Sequence, residues 1–284
     1  MNYEALVKKI KKRRTVLLVT SILLVILLLA GSMTFTKWEN GSEVYIYNGP
    51  IPDSTAIVLL IVLLLVAFFI SVLNEAKVAE LFNKECRPEA YLAAKVALCP
   101  ARKQNSEQMR YVKMMVANAL GDFATCEALA RTLLSTKNAE IRLAVLNGMA
   151  NVCYARGSAA ECRGILQSLD DLLAQKPRDG MRKKIEDVRC RTLITLYLCE
   201  ENYIEAAAAA DALAPQIEPI SEASAAYYQG LAYLAAGRDE DALYAFLTVQ
   251  KKGGSTWYVE KALPLLEQAR ERLYNQNHIN EQGE

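Results

Sequence analysis

Two stretches of the chain carry no charged side chain, Thr15 to Thr36 and Ser54 to Asn74, and apolar residues fall on every face of the helix each would form. At 1.5 Å per residue, about 20 such residues cross roughly 30 Å of hydrocarbon. Two transmembrane helices are predicted, at 15–36 and 54–74, with a short extracytoplasmic loop at 37–53. The first run is longer than the apolar core of a signal peptide, and Ala30-Gly31-Ser32 is a weak cleavage site, so it is expected to stay on the chain.

After residue 75 the pattern changes. Apolar positions recur at helical spacing, β-branched alternation is scarce, and almost no sheet is expected there. Breaks recur at Glu85-Cys86-Arg87, Gly121-Asp122-Phe123, Gly157-Ser158-Ala159, Glu201-Asn202-Tyr203 and Gly237-Arg238-Asp239. Three of the four intervals are 36 residues. The longer one holds an extra loop near Gln175 to Gly180. The first break needs a helix over Ser71 to Lys84, which begins inside the second span. Neither proline nor glycine stands between Pro52 and Arg87, so one unbroken helix is predicted to run from the membrane into the first repeat. Trp257 to Tyr274 reads as a closing helix containing Pro264, with a polar outer face of Glu267, Arg270, Glu271 and Arg272. The polar tail 275–284 is expected to be disordered.

The segment Ser224 to Gln250 resembles the tetratricopeptide repeat (TPR) family. Gly230 stands where two helices touch, Tyr233 follows as an aromatic, Gly237 is the turn, and Ala242 and Phe246 match the second helix. Looser matches are Tyr197, Tyr203 and Ala206, then Gly121, Phe123 and Ala128, and Gly157 with Leu166. The resemblance covers roughly residues 75–275, with a spacing slightly longer than the family's usual 34. It implies an all-α chain: a two-helix transmembrane hairpin followed by a cytoplasmic α-solenoid of about four to five helix pairs over 75–274.

Charge sets the orientation. Lys8, Lys9, Lys11, Lys12, Arg13 and Arg14 precede the first span, and Lys77, Lys84 and Arg87 follow the second. The loop between has Lys37 against Glu39, Glu43 and Asp53. Both termini, including the basic segment 1–14, are therefore expected in the cytoplasm, in an integral protein of the plasma (cytoplasmic) membrane. Trp38, Tyr45 and Tyr47 suit an aromatic belt at the outer interface, and Asn40-Gly41-Ser42 is taken as a chance glycosylation sequon. With 33 basic and 32 acidic residues, the net charge is +1, and no nucleic-acid partner is expected.

Candidate chemistry is sparse. His278 is the single histidine, and no C-x-x-C, phosphate-loop or nucleophile-elbow motif occurs. The seven cysteines all follow the second span, and Cys126 and Cys162 read as small core residues. No catalytic residue, cofactor, metal or small-molecule substrate is expected. The resemblance implies that the first helix of each pair lines a concave, peptide-binding groove. It assigns to that groove Tyr111, Met115 and Asn118, then Asn147, Asn151 and Tyr154, then Arg191 and Thr195, then Tyr227. Asn147 and Asn151 lie one turn apart, with both amides read as suited to a partner's backbone, the alternative being a solvated face or one covered by the protein's own helices. The chain therefore reads as a membrane-anchored scaffold or adaptor for a protein or peptide partner. The alternative is a regulatory or sensor subunit that couples the membrane hairpin to the solenoid.

Overall fold

A computed structural model describes residues 2–32, 34–39, 42–48 and 53–282. It divides into two compact units, residues 1–79 and 80–284.

In the first unit, α1 (Tyr3–Ser32) and the larger part of α2 (Asp53–Asn83) are both long and apolar enough to cross a membrane. Side chains such as Leu18 and Phe68 are 62% exposed. So much open apolar surface is unfavourable in water and favours a lipid surround. Arg14 on α1 and Glu75 on α2 form an ion pair of 3.4 Å. Between these helices β1 (Thr34–Glu39) and β2 (Ser42–Asn48) pair antiparallel, with a register shift between Phe35 and Thr36. The loop expected from sequence is thus largely a hairpin. Its alternating threonines, aromatics and branched residues suit paired strands. Asn40 and Gly41 of the sequon lie outside the described residues, as do the side chains of Trp38, Tyr45 and Tyr47.

The helix α2 runs without a break to Asn83, as the lack of proline and glycine predicts. The second unit then continues through α3 (Pro88–Leu98), a single 3-10 turn (Ala101–Lys103), α4 (Glu107–Leu120), α5 (Phe123–Leu133), α6 (Ala139–Arg156) and α7 (Ala159–Ala174). It ends with α8 (Asp179–Cys199), α9 (Tyr203–Asp211), α10 (Pro219–Ala235), α11 (Asp239–Lys252) and α12 (Trp257–Gln282). No strand occurs among the described residues of this unit.

The breaks have one local cause. Cys86, Gly121, Gly157, Glu201 and Gly237 all take positive φ, between 48° and 75°. A left-handed residue ends a helix and lets the next backbone N–H fold back. At Asp122, Ser158, Asn202 and Arg238 that N–H donates to the carbonyl five residues earlier, at 2.8–3.0 Å. The following helix is then capped: the side chains of Asp122 and Ser158 accept from the N–H of Thr125 and Glu161. Lys176, φ 52°, marks the extra loop before α8.

From α3 onward most helices pack on the next in sequence, and α4, α6, α8 and α10 also pack in series. Cys126, Cys162, Ala206 and Ala242 are fully buried where facing helices meet. At Gly230 an added Cβ would stand 2.6 Å from the Phe246 ring, so glycine there admits the ring of α11.

The last helix does more than cap the series. Its outer residues Glu267, Arg270, Glu271 and Arg272 are exposed, but Trp257, Tyr258, Ala262, Leu266 and Ala269 are buried, and α12 contacts α4, α10 and α11. The loop before it docks onto the first break, where the Ser255 N–H donates to the Cys86 carbonyl at 2.9 Å. Gly254, φ 56°, permits this, since a Cβ there would lie 2.6 Å from that same carbonyl oxygen. The helix also continues to Gln282, through most of the segment expected to be disordered. No proline or glycine interrupts it between Pro264 and Gly283, and Gln276 donates to Asp239 at 2.9 Å.

Candidate functional site

The nine residues assigned to a concave face separate into two groups. Asn151, Thr195 and Tyr227 are 3%, 1% and 3% exposed, and Tyr154 is half-buried. Asn151 is central. Its Nδ2 donates to Asn118 Oδ1 at 2.9 Å and to Tyr258 Oη at 3.2 Å, and its Oδ1 accepts from the Tyr228 hydroxyl at 2.7 Å. The expectation that this amide is free for a partner's backbone does not hold, because the chain's own tyrosines occupy it. Tyr227 packs edge-on against Tyr154, Tyr228 and Trp257 and tilted against Tyr258. Burial raises the phenol pKa of Tyr227, Tyr228 and Tyr258, so these hydroxyls stay protonated. Thr195 spends its hydroxyl on the Arg191 carbonyl within α8.

The other five come together. Tyr111, Met115 and Asn118 of α4, Asn147 of α6 and Arg191 of α8 line one cavity of about 200 Å³. Asn147 is half-buried and makes no side-chain hydrogen bond among the described residues. Asn118 has only its carbonyl engaged, by Asn151. Arg191 donates through Nη1 to Ser224 Oγ at 3.1 Å and through Nη2 to Asp187 at 2.6 Å, and Gln216 donates to the other Asp187 oxygen at 2.6 Å.

Sequence reasoning missed the rest of the wall. Phe82 and Asn83 come from the last turn of α2, Glu218 immediately precedes α10, Ser224 lies within α10, and Tyr258 belongs to α12. Asn83 Nδ2 donates to Glu218 Oε1 at 3.2 Å. One signal was available: the adjacent pair Trp257-Tyr258 is too aromatic for a cap whose only task is to face water. Among the described residues, no group of three His, Cys, Asp or Glu stands where it could hold a metal ion.

The chain matches no family model, no curated protein and no solved structure.

Proposed function

We propose that the protein is a membrane-anchored, TPR-like adaptor that binds a segment of a partner protein on the cytoplasmic side. The observation that carries this reading is the unspent amide of Asn147, open to the cavity beside Asn118, Tyr111 and Met115. An amide both donates and accepts, which suits an extended backbone, and the neighbouring thioether and phenol offer apolar contact to its side chains. Support for the TPR-like reading comes from left-handed breaks spaced about 36 residues apart in all but one interval, and from the series packing of α4, α6, α8 and α10. Solenoid arrays of this kind present surfaces and seldom catalyse. Support for the cytoplasmic orientation comes from the basic residues before α1 and after the α2 span.

The test is crosslinking from native membranes, comparing the intact protein with an Asn147→Ala/Tyr111→Ala variant. Partner capture should fall at least tenfold, and because Tyr111 also packs on the core around Met114, Asn147→Ala alone, with the parent's melting temperature, should already weaken capture. If the same partners are captured at the same yield, the cavity is not where the adaptor binds.

A second reading, the sensor subunit, is favoured by the presence of Phe82 and Asn83 in the wall. They are the last turn of α2, so an occupant of the cavity would touch the membrane-spanning element itself.

A further inference from the structure

The deep end of the cavity has more hydrogen-bond donors than acceptors. Arg191 and the Asn151 amide nitrogen are obligate donors, and they deliver into Ser224 Oγ and Tyr258 Oη respectively. Those two oxygens lie 3.0 Å apart. One hydroxyl hydrogen makes the bond between them. Whichever group supplies it, the other hydroxyl hydrogen is left over, and Ser224 and Tyr258 both line the cavity. The Asn118 carbonyl is taken, which leaves its N–H groups. This end therefore asks for an acceptor, and beside a guanidinium the strongest acceptor is a carboxylate.

The rim is of the opposite kind. Glu218 is exposed, spends one oxygen on Asn83 and adds a negative charge to the lining, whereas the positive charge of Arg191 is already paired with Asp187 at 2.6 Å. The remaining wall has an apolar part, with Phe82, Met114, Met115 and Ile220, beside the polar Asn147 and Ser221. A cavity of about 200 Å³ has room for a single residue. We infer that the cavity binds a free α-amino acid with an apolar side chain. Its carboxylate meets Arg191 and the leftover hydroxyl, its ammonium meets Glu218, and its side chain lies against Met114, Met115 and Phe82. The inference rests on the cavity being the ligand site of the adaptor. It makes the occupant of the depth a small effector and leaves the mouth to the partner segment.

The test uses the purified full-length protein in detergent micelles. Calorimetric titration with free leucine, isoleucine, valine, methionine and phenylalanine should find at least one ligand with Kd of about 1 mM or tighter. Its N-acetyl and carboxamide forms, each lacking one charge, should bind at least tenfold more weakly. Glu218→Gln should weaken binding of the free amino acid to a similar degree while its melting temperature stays that of the parent. That variant keeps the inference testable even if substitutions of Arg191 unfold the protein. Absence of binding by all five at about 10 mM, or equal binding of the capped forms, overturns the inference. Partner capture that persists when no amino acid binds would sink this inference and leave the adaptor reading standing. Amino-acid binding combined with undiminished capture by the Asn147→Ala/Tyr111→Ala variant would do the reverse.

Discussion

Two neighbouring asparagines show how much a single turn of helix decides. Asn147 is open to the cavity, whereas four residues later Asn151 is buried and joined to Asn118, Tyr228 and Tyr258. Removing a buried amide leaves its partners unsatisfied, which costs about 1–3 kcal/mol. Asn151→Ala should therefore lower the midpoint of chemical denaturation markedly, while Asn147→Ala should leave it within about 0.5 kcal/mol of the parent. Equal effects would mean that the two side chains share one environment. Gly230 faces a different constraint. A side chain there must displace the Phe246 ring, already within 2.6 Å of the position of a Cβ, and overpacking of this kind costs about 1–3 kcal/mol. An unchanged denaturation midpoint for Gly230→Val would show that α10 and α11 do not meet at that point.

At the level of helices, local chemistry was legible and long-range seating was not. The breaks at Gly121, Gly157 and Gly237 could be read because a glycine followed by a capping or turn residue acts within a few positions. The continuity of α2 was legible for the same reason, since nothing in its sequence stops a helix. The site was only half legible. Its α4, α6 and α8 residues follow from repeat register, but Tyr258 reaches Asn151 across 107 positions, and no periodicity encodes that contact. A polar residue on an amphipathic helix looks the same in sequence whether water or a distant tyrosine satisfies it. Neighbouring helices are also tied by charge. Arg131 within α5 and Arg156 at the end of α6 both hydrogen-bond Glu127 of α5, and they hold its carboxyl pKa down at about 2. A carboxylate whose folded pKa is lowered contributes stability above its ordinary value near 4.5. That contribution is lost as pH falls toward 2. Glu127→Gln should therefore flatten the decline in stability with pH across that window. A decline as steep as the parent's, followed by circular dichroism during acid titration, would show the ion pairs to be inconsequential.

On the scale of the molecule, the first 79 residues and the remainder present different surfaces. The exposed apolar faces of α1 and α2 call for lipid, whereas α4 to α12 expose charged side chains. Under the proposed topology, a cysteine introduced at Ser42 should react with a membrane-impermeant maleimide in intact cells. Of the native cysteines, the partly exposed Cys99, Cys190 and Cys199 should react only after permeabilisation. Labelling in the opposite order would invert the orientation. The bond from Ser255 to the Cys86 carbonyl bears on biosynthesis. It joins positions 169 apart, and the buried aromatics Trp257 and Tyr258 follow immediately after it. On the ribosome, both membrane helices and the first break have left the exit tunnel long before Ser255 is translated. Through that interval the nascent chain holds α4 and α6 with their shared face open and Asn151 lacking its Tyr228 and Tyr258 partners. The helix made last completes the hydrogen bonding of helices made much earlier, so a transcript truncated before codon 255 yields a protein whose interior never closes.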